Sequence, residues 1–135
     1  MKFNIIAIID AQEQSVLMCL RNKEPYLGLY NFVGGKVEIN EDDLQGAYRE
    51  LLEETGISNE DVTLIHLLDF IYHLENKELQ VFVGKLNKAL ILKEEKHHLS
   101  WIALTSDFSN LNLYAGDGNI SYIIEQINLN KKSLW

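Results

Sequence analysis

Glu50, Glu53 and Glu54 crowd one end of a short helical stretch in this 135-residue chain. Glu50 and Glu54 stand four residues apart, and Glu50 and Glu53 three apart. Like charges at those spacings cost about 0.2–0.5 kcal/mol per pair. Glu53 and Glu54 also fall in the last helical turn, where the helix dipole disfavours anions. Local physics opposes the arrangement on two counts, and such places are candidates for function. A multivalent cation is the simplest relief, and cations held by carboxylates serve phosphate chemistry. Hard oxygen donors suit Mg²⁺ or Mn²⁺; zinc would want a His or Cys cluster, which the stretch lacks. The plainer alternative is a solvated acidic face. The Gly34-Gly35 turn upstream, the interleaved Arg49 and caps at both helix ends favour the metal site.

The helix that carries these acids is predicted over residues 43–55. Asp42 can cap it, with Gln45 completing a capping box, and Gly56 suits a left-handed end. Ile57 could then pack back on Leu52. Leu44, Ala47, Tyr48, Leu51 and Leu52 share one wide arc, with Arg49, Glu50, Glu53 and Glu54 on the arc beside it. Around this helix, residues 2–10 read as a strand buried on both faces and residues 15–21 as a second strand. Residues 22–29 form a loop with the only proline, Pro25. Residues 30–33 lead into Gly34-Gly35, and residues 36–38 read as a short strand. Residues 62–74 and 79–86 suggest a hairpin, and residues 99–104 a further strand. Ile120, Ile123, Ile124 and Ile127 recur at helical spacing and predict a second helix over residues 119–128. The elements make a single domain, residues 1–135, of α/β or α+β class.

Residues 35–57 resemble the Nudix box, Gly-x5-Glu-x7-Arg-Glu-U-x-Glu-Glu-x-Gly-U, with U a bulky aliphatic. Gly35, Glu41, Arg49, Glu50, Leu51, Glu53, Glu54, Gly56 and Ile57 all match, with no departure. The length and element order are also similar to a small MutT-like Nudix hydrolase. The resemblance implies an α/β/α sandwich with a mixed β-sheet between helices. It implies hydrolysis of a nucleoside diphosphate linked to another group. Glu50 and Glu54 would then be the principal metal ligands, joined by the Gly34 carbonyl. Glu53 would be a further ligand or an acid/base helper. Arg49 would orient Glu50, and Glu41 would support the loop or reach a metal through water. Bound Mg²⁺ would offset charge on the phosphates and activate a water, whose proton Glu53 or Glu95 would accept as general base.

Candidate substrate contacts lie outside the box. Arg21 ends a strand aimed at the cleft and could meet a phosphate, or serve as a plain surface cation. Asn31, four residues before Gly35, has the donors and acceptors to read a purine edge, and is equally at home in a turn. In the family's oxidised-purine members an Asn at the matching place contacts the base. The loop 113–119 is similar to the base-recognition loop of MutT-like enzymes; Asp117 and Asn119 would give it specificity, or cap the last helix. Tyr114 and Phe70 could stack on a base, although aromatic residues so placed more often belong to the core. Glu94 and Glu95 precede the Trp101 strand, and Glu95 has the better spacing for the further carboxylate that MutT-like enzymes supply there. His97 and His98 read as surface loop residues.

The net charge of −8 disfavours a nucleic-acid partner, since no Lys/Arg stripe exists to release counterions. No apolar run approaches a membrane span, and no signal peptide is evident, so a cytoplasmic place is expected. Cys19 is alone, in an apolar run, and reads as a small buried hydrophobe. The expected function is Mg²⁺-dependent hydrolysis, with Mn²⁺ as substitute, of a purine nucleoside triphosphate, oxidised as in 8-oxo-dGTP or not, to the monophosphate and pyrophosphate. ADP-ribose and dinucleoside polyphosphates remain open as substrates. A nucleotide-sensing module without turnover is the contrasting class, and the intact box argues against it. Many relatives pair, so the resemblance leaves a homodimer open.

Overall fold

In a computed structural model, which describes residues 1–94 and 97–135, the chain builds one mixed sheet with helices on both faces. The strands are β1 (Lys2–Ile9), β2 (Ser15–Leu20), β3 (Tyr30–Asn31), β4 (Ile65–Tyr72), β5 (Lys77–Lys85) and β6 (His98–Ala103). The helices are α1 (Asp43–Thr55), α2 (Asn119–Leu129) and a single turn, α3 (Lys131–Leu134). β1 lies at the centre, parallel to β5, and β5 pairs with β4 as the expected hairpin.

Period two along the central strands explains the layers. Ile6 and Ile8 of β1, Leu17 and Cys19 of β2 and Phe82 of β5 point to one face, where Ala47 and Leu51 of α1 cover them. Ala7, Ile9, Val16, Met18, Val81 and Val83 point to the other, where Ile120, Ile123, Ile124 and Ile127 of α2 pack. Fully burying each such isoleucine contributes about 1.5–3 kcal/mol. These two apolar layers produce the expected α/β/α sandwich.

The sheet forks where the site lies. β1 and β2 pair at Ile9–Val16 and then part. Residues 30–36 fill the opening: Tyr30 and Asn31 pair with Leu20 and Cys19, Val33 bridges Ile6, and Lys36 bridges Phe3. The strand expected at residues 36–38 is therefore only this bridge plus one Val37 N–H bond to the Lys2 carbonyl.

α1 begins and ends as the sequence predicts. The Asp42 carboxylate accepts the Gln45 N–H at 2.8 Å, and the Gln45 side chain accepts the Asp42 N–H at 3.3 Å. Gly56 takes φ 81° and donates its N–H to the Leu52 carbonyl. The rotation of α1 differs from the expected arc. Leu44 and Leu52 are 43% and 52% exposed, and Ile57 packs in the cluster of Leu51 rather than on Leu52. Gly46 is buried on the inner side of the helix, where a Cβ would stand 2.8 Å from the Glu41 carboxylate of the preceding loop. Two i,i+4 rows face inward: Ala47 and Leu51, continued by Thr55 with its hydroxyl bonded to the Leu51 carbonyl, and Gly46–Glu50–Glu54 beside Gly34-Gly35. The missed α3 has Trp135 at its end, whose indole N–H donates to Glu13 at 2.6 Å.

Removing the cap tests this account of α1. Asp42→Ala should cost about 1 kcal/mol. Urea unfolding should show a lower midpoint with an unchanged m-value.

Candidate active site

The Gly34-Gly35 pair is where loop and helix meet most closely. Gly34 has φ 149°, and a Cβ there would lie 2.2 Å from the Asn4 carbonyl oxygen. A Cβ on Gly35 would lie 2.4 Å from the Glu50 carboxyl carbon. Only glycines let the backbone pass between β1 and the acidic row of α1.

Arg49 gathers the acids. Its guanidinium donates to Glu41 at 2.6 and 3.0 Å, to Glu50 at 3.0 Å, to Glu53 at 3.3 Å and to the Lys36 carbonyl at 3.1 Å. Glu38 adds a looser ion pair at 3.7 Å. These bonds hold the guanidinium firmly protonated, Glu41 contributing most. In return, Arg49 lowers the Glu41 carboxyl below its ordinary range. The repulsion between Glu50 and Glu53 is thus offset within the chain. Arg49 also staples the loop of residues 36–41 to the middle of α1.

The donor chemistry suits a hard divalent cation: carboxylates of Glu50, Glu53 and Glu54 beside a strained glycine peptide. Glu54 is the buried member at 8% exposure and lies on the wall of the cleft with Gly34 and Gly35. Among the described residues, no three His, Cys, Asp or Glu side chains stand assembled as a metal cage. Arg49 holds Glu50 through Oε1 and Glu53 through Oε2.

The cleft is a cavity of about 370 Å³ in the fork of the sheet. Arg21 and Asn31 both line it, as the sequence suggests. Arg21 donates through Nε to the Pro25 carbonyl at 2.5 Å, and Asn31 Oδ1 accepts the Phe32 N–H at 2.8 Å. Asp117 and Asn119 do not line it. Asp117 accepts the Tyr26 hydroxyl at 2.6 Å, and Asn119 Nδ2 donates to the Tyr72 hydroxyl at 2.8 Å. Neither caps α2, whose N-cap is Gly118. Tyr114 and Phe70 belong to the core under α2. His97 also lines the cavity, which its reading as a surface residue missed. Glu95 lies outside the described residues. Cys19 is 6% exposed on the cavity wall, and burial, with Glu54 nearby, pushes its thiol up to about 11. It is a buried hydrophobe, as expected.

Sequence reasoning missed Lys23, Tyr26 and Lys77, which also line the cavity. Tyr26 had no legible signal, since its partner Asp117 is 91 residues away in the chain.

The mixed sheet, its fork and the Arg49-centred acids place a carboxylate-rich helix beside a glycine turn and an open cavity. A family model of the NUDIX domain matches residues 2–119, and the chain belongs to the Nudix family of hydrolases. A search of curated proteins returned no match. Among solved structures, the chain is similar to a C. elegans Ap4A hydrolase, with TM-score 0.77 and 18% identity, over 97% of this chain and 98% of that one. The E. coli dihydroneopterin triphosphate pyrophosphohydrolase gives TM-score 0.75 and 24% identity over 96% and 95%. The NUDIX domain of Shewanella oneidensis NrtR, complexed with ADP ribose, gives 0.75 and 16% over 96% and 87%. MutT proteins share the fold as well. Among the described residues, no helix is long and apolar enough to cross a membrane.

The Tyr26–Asp117 bond yields a titration test. Asp117 pushes the Tyr26 phenol up to about 12. A raised folded-state value means the stability it contributes is full below pH ~10 and is lost as pH rises through ~12. Absorbance at 295 nm should show one tyrosine titrating near 12, and Asp117→Asn should return it towards ~10.

Proposed function

We propose that the protein hydrolyses a nucleoside diphosphate linked to a further group, with Mg²⁺ as cofactor and Mn²⁺ as substitute. The substrate in this reading is a purine nucleoside triphosphate, oxidised as in 8-oxo-dGTP or not. The single observation that carries it is the acidic row of α1, steered by Arg49 and opening on a cavity large enough for a nucleotide.

Glu50, Glu54 and the Gly34 carbonyl would hold the metal, with Glu53 assisting. When bound, the metal would offset charge on the phosphates and favour ionisation of an attacking water. Arg49 keeps Glu50 and Glu53 oriented by charge-assisted bonds. Glu53, 44% exposed at its side chain, would accept the proton of the attacking water. Glu95 is the alternative base from the sequence. Water attacks phosphorus, and the triphosphate leaves as monophosphate and pyrophosphate. Arg21 on the cavity wall would meet a phosphate.

The purine reading is supported by Asn31 on the cavity wall. Its Nδ2 donor and a second Oδ1 lone pair are what a base edge would meet. Asp117 would act at one remove, through Tyr26. Asn119, bonded to Tyr72, would need to turn to take part. Similarity to an Ap4A hydrolase and to a domain complexed with ADP ribose keeps dinucleoside polyphosphates and ADP-ribose as the second reading. We further propose a cytoplasmic enzyme that uses no nucleic-acid or membrane partner.

A nucleotide panel with Mg²⁺ tests the reading. Pyrophosphate release should vanish with EDTA and be highest, by kcat/KM, on a purine triphosphate. Glu53→Gln and Glu54→Gln should each cut turnover at least about 100-fold with the fold intact. Near-normal turnover in both variants would sink the mechanism.

A further inference from the structure

Asn4 is a polar residue in an apolar strand. On the α1 face of β1 it begins the row that continues with Ile6 and Ile8, yet it is only 2% exposed. Its neighbour across the parallel pair is Gln80, 3% exposed. Two buried amides side by side cost free energy unless their hydrogen bonds are made. An apolar pair would have packed there at no such cost.

What Asn4 does is hold the Gly34-Gly35 peptide. Its backbone N–H donates to the Gly35 carbonyl at 2.8 Å, and its side-chain Oδ1 accepts the Gly35 N–H at 2.9 Å. Its own carbonyl oxygen lies where a Gly34 Cβ would be, at 2.2 Å. One residue thus fixes both polar atoms of Gly35 and bounds Gly34 sterically. Gly35 in turn is the backbone against which the Glu50 carboxylate rests.

The remaining amide atoms extend the hold. Among the described residues, Asn4 Nδ2 and Gln80 Oε1 are buried and meet no hydrogen-bond partner, one a donor and the other an acceptor, in facing register. A bond between them, direct or through one water, would satisfy both. Gln80 Nε2 then donates to Asp43 at 2.7 Å, in the first turn of α1. The chain Gly35–Asn4–Gln80–Asp43 would run beneath the helix that carries the acids.

We propose that Asn4 is a positioning residue of the phosphate-cleaving site, clamping the Gly34–Gly35 peptide against Glu50 and tying it through Gln80 to the start of α1. The inference rests on the hydrolase reading above. It acts through geometry: Asn4 sets the backbone that the reacting groups depend on. Interactions realised in the transition state affect kcat and kcat/KM together.

Amide hydrogen exchange and steady-state kinetics on wild type, Asn4→Leu and Asn4→Asp test it. Leu removes both polar atoms at similar volume, and Asp keeps the acceptor for Gly35. In Asn4→Leu the Gly35 amide should exchange at least about tenfold faster, while Val81 and Val83 in β5 stay protected. Its kcat should fall at least about tenfold with KM within about threefold. Asn4→Asp should keep Gly35 protected and retain more of kcat than Asn4→Leu. Unchanged Gly35 exchange in a folded Asn4→Leu would overturn the clamp. Normal kcat with Gly35 unprotected, or an effect on KM alone, would overturn the catalytic role. Should Asn4→Leu fail to fold, loss of Gly35 protection in Asn4→Asp overturns the proposal. A wild-type chain inactive on every nucleotide would sink the hydrolase reading instead, and exchange alone would then decide the clamp.

Discussion

The guanidinium of Arg49 is the constraint on which the rest of the site depends. It is bonded to Glu41, Glu50 and Glu53, and its bond to the Lys36 carbonyl reaches across to the preceding loop. Without that charge, acids at i, i+3 and i+4 in a last helical turn would repel one another and the helix dipole. A planar fork of five donors suits this task, and a lysine ammonium would not reach several carboxylates in fixed directions. The same bonds create a tension, because a cation bound by Glu50 and Glu53 would share these carboxylates with the positive charge of Arg49, which engages Oε1 of Glu50 and Oε2 of Glu53.

The fold supplies the place for that tension. β1 and β2 diverge after a single pairing at Ile9–Val16, and the chain from Tyr30 to Lys36 enters the gap. α1 packs Ala47 and Leu51 on the sheet, with Glu54 buried on the same helix and Glu50 against Gly35. The acidic row and the glycine peptide meet because both are driven into one fork. The cavity beside them is lined by cations as well, Arg21, Lys23 and Lys77, so an anionic ligand meets charges of both signs.

Much of this was legible in the residues, and the limits follow from range. The bounds and caps of α1 come from interactions within a few residues, and Asp42, Gln45 and Gly56 behave as local rules require. The central strands were legible because β1 is apolar on both faces. The rotation of α1 was not: hydropathy placed Leu44 and Leu52 inward, while the folded helix leaves both facing solvent and buries Gly46, Ala47, Leu51, Glu54 and Thr55. Asn4 and Gln80 look like ordinary strand polar residues until the parallel register brings them together. The loops meeting at Tyr26 and Asp117 are far apart in sequence, so Asp117 reads as a base-recognition or capping residue when its hydrogen bond goes to a tyrosine.

The central proposal is that the acidic row and the glycine peptide form one cation site whose carboxylates Arg49 orients. Paramagnetic broadening of backbone amides by added Mn²⁺, followed residue by residue, measures it most directly. The account predicts broadening that begins at Gly34, Gly35 and residues 50–54. Broadening centred elsewhere on the surface, or none at these residues at millimolar Mn²⁺, would contradict it.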